Sequence, residues 1–214
     1  MPTILASLRS ADFTKLNEEL AALADARVDL LHLDIMDGKF CDEVSFPLEQ
    51  VEQIRNLTRL PLDAHLMVEN PEQVLDEWIA AKVQRIAFHL EACRNPGPAL
   101  ARIKQAGLVP GLVILPSTAI EDLDPWLDQV DLVNPLGVNP VEKTGFDEAT
   151  YDRIKALKQR RTARDLDFRI QADGGVWEKT RHQLVAAGAD ELVGGFPIFS
   201  KKNYLVAVNE LRNG

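Results

Sequence analysis

The segments QAGLVPG (residues 105–111) and AAGADEL (residues 186–192) have the same form, and they decide the fold. In each segment, alanine closes a helical pattern and a glycine follows, at the place where a helix favours a left-handed residue after its end. These glycines are Gly107 and Gly188. A short loop and an apolar run come next, which is typical of a buried strand. Each segment therefore predicts the end of one helix and the start of the next strand.

Outward from these two segments, short apolar runs alternate with helical patterns along the whole chain. Asn70-Pro71 and Pro47 indicate helix starts, because proline favours the first helical position and asparagine the position before it. Such alternation predicts βα units arranged around a parallel sheet. The predicted strands are Thr3–Ser7, Leu30–Asp34, Pro61–His65, Arg85–His89, Pro110–Leu115, Leu132–Pro135, Phe168–Ala172 and Glu191–Gly194.

Eight βα units favour a closed parallel (β/α)₈ barrel of the TIM type over an open sheet. The length of 214 residues lies at the small end of the range for that fold, which begins at about 200 residues. An open doubly wound sheet is the alternative, but its Gly-rich turn after the first strand is missing. Because no Pro/Gly/Ser-rich linker marks a boundary, we expect residues 1–214 to form a single barrel domain.

Composition excludes several classes of protein. The formal net charge of −9 argues against a nucleic-acid partner, because phosphate backbones attract basic surfaces. No apolar run approaches the roughly 20 residues that a membrane helix needs. Two cysteines do not form a disulfide framework, and the first ten residues lack the basic start of a signal peptide. We therefore expect a cytoplasmic protein with no membrane or nucleic-acid partner.

Polar side chains end several of the predicted strands, where a barrel gathers its functional groups. They are Ser7, His32, Asp34, Asp63, His65, His89, Glu91 and Asp173. Residues two apart on a strand point to the same face, so His32 and Asp34 project together. A lone histidine of this kind is more often a hydrogen-bonded core residue, which is the preferred interpretation of His89. The occurrence of such polar residues at the ends of four strands favours a functional site over core packing.

His32, Asp34, His65 and Asp173 together predict a metal centre at the mouth of the barrel. Two imidazoles and two carboxylates form a set of nitrogen and oxygen ligands of the kind that zinc accepts. We expect one divalent ion per chain, with zinc as the first choice and iron(II), manganese or cobalt as alternatives that the residues leave open.

Five motifs resemble one known family in order and spacing over nearly the whole chain. They are ILASLRSADF at the start, HLDIMDG (32–38), DAHLMVENP (63–71), FHLEA (88–92) and ADGGV (172–176). The sequence resembles the ribulose-phosphate 3-epimerases. The combination of H-x-D-x-M-D-G with D-x-H-L-M is far more specific than any single motif.

The resemblance implies a reaction and a role for each matching residue. It implies that His32, Asp34, His65 and Asp173 bind the metal, and that Asp34 and Asp173 also act as the two acid/base groups. The proton at C3 of a ketose phosphate would leave on one face and return on the other, converting D-ribulose 5-phosphate into D-xylulose 5-phosphate. The other residues that the resemblance places at the substrate are Ser7, Met36 and Met67.

The loops that hold phosphate in this family diverge here. Gly174 and Gly175 are retained, and Gly194-Gly195 is followed by Phe196 where the family usually has serine. The loop after the sixth predicted strand has lost its glycine cluster, and we expect Lys143 in that loop to contribute to substrate binding by charge. The predicted substrate-binding set is Ser7, Met36, Met67, Lys143, Gly174, Gly175, Gly194 and Gly195.

Several alternatives stay open at this point. We expect a small-molecule sugar phosphate as the substrate, but a hexulose 6-phosphate or a free ketose also fits the residues. A lyase of a related barrel type is disfavoured, because Asp34 to Asp37 (DIMD) contains no lysine. A non-catalytic ligand-binding barrel would not need four such polar residues. Family members commonly self-associate, which implies a homo-oligomer. For Trp78, Trp126 and Trp177 we expect packing in the core or between the helices and the barrel.

Overall fold

The structure is a computed structural model that describes residues 1–214. The chain contains nine strands: β1 (Thr3–Ser7), β2 (Leu30–Asp37), β3 (Val44–Ser45), β4 (Leu62–Met67), β5 (Arg85–His89), β6 (Val109–Ile114), β7 (Leu132–Pro135), β8 (Arg169–Ala172) and β9 (Glu191–Gly194). All of the strands except β3 pair in parallel, and the β1–β2 pairing closes them into a barrel of eight. The prediction of a (β/α)₈ barrel is confirmed. The two-residue β3 adds an antiparallel edge to β2.

Helices cover the outside of the barrel. They are α1 (Leu16–Asp25), α2 (Leu48–Leu57), α3 (Pro71–Ala80), α4 (Pro96–Gln105), α5 (Ala149–Ala163), α6 (Glu178–Ala187), α7 (Phe196–Phe199) and α8 (Tyr204–Asn213). Between β6 and β7 the connection has only a 3₁₀ turn at Ile120–Leu123. None of the helices combines the length and the apolar content that crossing a bilayer demands.

Helix ends follow the sequence signals in part. Pro71 stands at the first position of α3, as predicted, but Asn70 before it is left-handed and its side chain makes no capping hydrogen bond. Gly107 and Gly188 have φ angles of 76° and 122° and follow α4 and α6. A left-handed turn at these points directs the chain back into the next strand.

Strand parity divides the side chains of β2 into two sets. Leu31, Leu33 and Ile35 are buried in the apolar cluster between barrel and helices. The alternate residues point into the barrel, and the register with β4 sets them beside matching partners. His32 lies beside Asp63, Asp34 beside His65, and Met36 beside Met67. The inward side chains of these strands are therefore polar at His32 and Asp34 and apolar at Met36 and Met67, one step further along.

Candidate metal centre and active site

Four side chains from three strands converge at the mouth of the barrel. His32 and Asp34 extend from β2, His65 extends from β4, and Asp173 immediately follows β8. One ligand atom from each lies within 4.8 Å of the others. His32 Nε2 is 3.3 Å from Asp34 Oδ1 and 3.4 Å from Asp173 Oδ2. His65 Nδ1 is 3.6 Å and 3.5 Å from the same two oxygens. The structure thus brings the four predicted ligands together.

The two ring nitrogens at the centre of this set fit a bound cation. His32 Nε2 and His65 Nδ1 are buried and have no hydrogen-bond partner. Buried polar atoms without a partner are rare, because each one costs free energy that water would otherwise supply. Both nitrogens face the oxygens of Asp34 and Asp173. A divalent cation would accept the lone pairs of both nitrogens and of both carboxylates.

The opposite edge of each imidazole is held by other buried side chains. His32 Nδ1 lies 2.9 Å from Asp63 Oδ2, which also accepts a 2.9 Å hydrogen bond from Gln171 Nε2. Because a carboxylate can only accept, a neutral His32 carries its proton on Nδ1 and keeps the lone pair on Nε2. His65 Nε2 lies 3.0 Å from Nε2 of His89. Asp63 and Gln171 belong to the outer shell that orients a metal ligand.

Electrostatics within the cluster favour ion pairs. Burial lowers the pKa of His32, but the negative charges of Asp34 and Asp173 outweigh it and raise that pKa well above its usual value. Burial likewise works against the carboxylates, but the nearby histidines lower the pKa of Asp34 well below its usual range and that of Asp173 to about 2. Without a cation the histidines therefore hold protons between two carboxylates, and a metal ion would replace those protons.

A cavity of about 200 Å³ is lined by three of the four candidate ligands, Asp34, His65 and Asp173. Six of the residues predicted for substrate binding also line it: Ser7, Met36, Met67, Gly174, Gly175 and Gly195. The Ser7 hydroxyl donates a 2.7 Å hydrogen bond to Asp34 Oδ2. Met36 and Met67 are buried and form an apolar cluster with Cys41. The cavity therefore has a polar floor and an apolar wall on the side of β2 and β4.

Backbone amides are available on the opposite wall. The N–H groups of Gly174, Gly175 and Val176 make no hydrogen bond to other backbone or side-chain groups. Both glycines are left-handed, with φ of 76° and 72°. Consecutive free amides in a turn of this kind attract an anion. Gly175 also needs to be glycine for packing, since a Cβ there would lie 2.2 Å from the ring of Phe146.

Two residues predicted for substrate binding lie elsewhere. Lys143 forms an exposed 3.1 Å ion pair with Asp42 and does not line the cavity. Gly194 faces Leu211 and Ile198, with its Cβ position 2.8 Å from the Leu211 side chain. Close packing of α7 and α8 against β9 explains that glycine. The structure does not bring these two residues together with the rest of the predicted site.

Ten other lining residues were not predicted from the sequence, and among them are Arg9, Ser10, Trp177 and Phe196. Arg9 is the one lysine or arginine in the cavity lining, and its guanidinium pairs with Glu43 at 2.5 Å. Ser10 Oγ lies 2.8 Å from the Cβ position of Gly195. The family motif at the start of the chain contains Arg9 and Ser10, but periodicity places them beyond the strand. Only the fold directs them toward the cavity.

An aromatic pair forms part of the cavity rim. The rings of Trp177 and Phe196 have centroids 5.6 Å apart, and the two residues are 43% and 61% exposed. The expectation of core or helix–barrel packing is wrong for Trp177, because this residue caps α6 at the surface beside the cavity. Trp78 is buried, and Trp126 packs against the core, as expected.

Fold and site together define a class: (β/α)₈ barrels with a two-histidine, two-aspartate centre at the carboxyl ends of the strands. The family described as "Ribulose-phosphate 3 epimerase family" matches residues 3–199. The chain belongs to this family, as the motifs predicted.

Curated relatives cover nearly the whole chain. A ribulose-phosphate 3-epimerase of Synechocystis sp. is 35% identical over 210 residues, covering 97% of this chain and 91% of the relative. A ribulose-phosphate 3-epimerase of Escherichia coli K12 is 32% identical over 212 residues, covering 98% of this chain and 94% of the relative. Among solved structures, KGPDC from Streptococcus mutans is similar with a TM-score of 0.75, 14% identity and coverage of 100% and 96%. That likeness supports the fold alone.

Proposed function

We propose that the protein is an epimerase that inverts C3 of a ketose phosphate, converting D-ribulose 5-phosphate into D-xylulose 5-phosphate. The observation that carries the proposal is the pair of carboxylates of buried Asp34 and partly buried Asp173, which enter one cavity from β2 and β8. These strands are not neighbours in the barrel, since β1 and β9 lie between them. Two acid/base groups that approach from different strands suit a reaction in which a proton leaves one face and returns to the other.

The proton transfers balance between the two aspartates. In one direction, the Asp34 carboxylate takes the proton from C3, and the C–H electron pair forms the C2=C3 bond of an enediolate. Asp173, which begins as the carboxylic acid, returns a proton to the opposite face of C3. The reverse reaction exchanges the two roles.

His32, Asp34, His65 and Asp173 would hold the metal ion. When bound, a divalent ion supplies Lewis acidity that stabilises negative charge on the ketone and hydroxyl oxygens. We propose zinc as the metal, because two nitrogen and two oxygen donors form a set that zinc accepts. Iron(II), manganese and cobalt are the alternatives for the same donors. Ser7 would orient Asp34 through their hydrogen bond, and Met36 and Met67 would keep water from the enediolate.

We further propose that the phosphate lies against the opposite wall of the cavity. The free amides of Gly174 and Gly175 would donate to its oxygens, with Gly195 on the same wall. Arg9 would supply the positive charge that Lys143, paired with Asp42, does not bring to the cavity. The Ser10 hydroxyl lies next to Gly195 and would offer a donor where Phe196 has none. A phosphate dianion at this wall would fix C3 above the aspartates.

The proposed location and assembly of the protein rest on its cysteines and on the family resemblance. Cys41 and Cys93 are free and buried, which is compatible with the proposed cytoplasmic location. Self-association stays a prediction from the family resemblance.

The test is solvent exchange at C3. The purified protein is assayed for bound metal, incubated with D-ribulose 5-phosphate in D₂O, and followed by NMR. We expect about one metal ion per chain, deuterium at C3 and formation of D-xylulose 5-phosphate. Asp173→Asn should abolish epimerisation, whereas Asp165→Asn, at an exposed aspartate outside the site, should not. Bound metal without deuterium exchange at C3 would indicate that the substrate is another ketose. Absence of both metal and exchange would refute it.

A further inference from the structure

Behind His65 lies a chain of polar contacts that leads away from the cavity. His65 Nε2 is 3.0 Å from His89 Nε2, and His89 Nδ1 is 3.2 Å from Glu91 Oε2. The second oxygen of Glu91 accepts a 2.8 Å hydrogen bond from the Leu115 amide and another from the Thr118 hydroxyl. The chain therefore links a candidate metal ligand on β4 with the loop that follows β6.

These contacts determine where each proton lies. The Glu91 carboxylate accepts, so His89 Nδ1 carries a proton. His89 is fully buried, where a positive charge on the ring is costly, and this favours the neutral ring with its proton on Nδ1. Its Nε2 then has only a lone pair, which must accept the proton of His65 Nε2. A neutral His65 with its proton on Nε2 has its lone pair on Nδ1, the atom that faces Asp34 and Asp173.

We propose that His89 and Glu91 are positioning residues that hold His65 in the tautomer able to bind the metal ion. The inference rests on the metal centre of the proposed function. His89 is fully buried and its ring lies 4.5 Å from that of Phe40, so it has little freedom to turn away. The Glu91 side chain is only 22% exposed and is fixed by its contacts with the loop.

His32 provides an internal comparison within the same centre. Its outer nitrogen meets the Asp63 carboxylate directly, whereas His65 meets a carboxylate only through a second imidazole. Both arrangements place a proton on the outer nitrogen and a lone pair on the inner one. The His65 arm depends on one more residue, and substitution of that residue isolates its effect.

The experiment measures metal binding without substrate. Zn²⁺ affinity is determined by competition with a chromophoric chelator, and the ring protons of the Zn²⁺-loaded protein are assigned by long-range ¹H–¹⁵N NMR. His89→Leu removes the acceptor and should weaken Zn²⁺ binding about 10–100-fold. His89→Gln, whose side-chain oxygen can accept, should restore much of the loss. Glu69→Gln, at an exposed glutamate on a neighbouring loop, is the matched control and should bind Zn²⁺ as the unaltered protein does.

NMR supplies the outcome that separates positioning from general damage. In the unaltered protein we expect the proton of His65 on Nε2 and that of His89 on Nδ1. Glu91→Gln provides a second variant should His89→Leu fail to fold, and it should weaken Zn²⁺ binding several-fold. Unchanged affinity in the folded variants, or a His89 proton on Nε2, would overturn the proposal. No substrate is used in these measurements. A negative result in the epimerase assay would therefore leave the conclusion about Zn²⁺ binding unchanged.

Discussion

Ser7 and Asp34 meet inside the barrel mouth, where the Ser7 hydroxyl donates a 2.7 Å hydrogen bond to Asp34 Oδ2. The other oxygen, Oδ1, faces His32 Nε2 at 3.3 Å and His65 Nδ1 at 3.6 Å. One carboxylate thus has one oxygen oriented by a hydroxyl and the other within the candidate metal centre. Neither oxygen is free to rotate without breaking one of these arrangements.

We therefore expect Ser7→Ala to lower kcat while the metal content stays the same. A buried hydrogen bond to a charged group contributes about 1.5–3 kcal/mol, so the loss in kcat should be roughly 10-fold to 100-fold. Steady-state kinetics and metal analysis together measure it. Ser200→Ala, at an exposed serine, should leave kcat unchanged. Loss of metal from Ser7→Ala would instead indicate that the hydroxyl supports the ligand set.

Arg9→Met should raise the KM for D-ribulose 5-phosphate roughly tenfold with little change in kcat. A cation that binds a remote phosphate stabilises substrate and transition state alike, so its removal alters KM alone. The effect should shrink at high salt, because Arg9 is half exposed and its charge is screened. Arg94→Met is the matched control at an exposed arginine outside the cavity. Equal KM values for the two variants would exclude Arg9 from substrate binding.

Removal of the metal should make stability depend on pH with a definite sign. The pKa values of His32 and His65 are raised in the folded protein above the usual 6.5. Their contribution to the free energy of unfolding is fully present below the pKa of the unfolded state. It is lost as pH rises through the pKa of the folded state. The Tm of chelator-treated protein should therefore fall as pH rises above about 6.5. Over the same pH range, the Tm of metal-loaded protein should rise relative to that of the chelator-treated protein.

Thermal unfolding of both forms across this pH range measures the effect. His182→Gln removes an exposed histidine outside the site and should keep the same pH dependence. A metal-free protein whose Tm is flat, or rises with pH in this interval, would contradict the assigned ion pairs between the histidines and the aspartates.

Gly137→Ala should destabilise the protein and disturb the metal centre together. A Cβ at Gly137 would lie 2.5 Å from the carbonyl oxygen of Gly174 and 3.1 Å from that of Asp173. Backbone cannot yield as a side chain does, so we expect a loss of about 1–3 kcal/mol in the free energy of unfolding. Gly145→Ala is the control, because a Cβ there has nothing within 4 Å. Denaturant unfolding and Zn²⁺ affinity are the measurements, and an unaltered Zn²⁺ affinity would show that Asp173 tolerates the shift.

Much of the fold was predictable because strand signals are local. The apolar runs located all eight barrel strands, although β2 continues to Asp37 and β4 to Met67, beyond the predicted ends. The extra residues pair with each other in register, and β2 is lengthened further by its antiparallel contact with β3. Such extension depends on a neighbouring strand and leaves no separate mark in composition.

The sequence by itself predicted which four side chains form the candidate metal centre, because the alternation of a strand fixes which residues share a face. His32 and Asp34 have to project together wherever β2 lies, and the same parity carries His65 and Met67 into the barrel. The place of Asp173 in the candidate metal centre was predictable because it directly follows a strand.

Only the tertiary structure decided which loop residues reach the cavity and which histidine supports another. Arg9 and Trp177 line it, whereas Lys143 turns away to Asp42, because loop direction follows from packing and not from periodicity. The sequence predicted an ordinary core histidine at position 89. The pairing of β4 with β5 places His89 in contact with His65. The physical reason is range: strand parity acts over two residues, while these contacts join segments that are 24 to 101 residues apart.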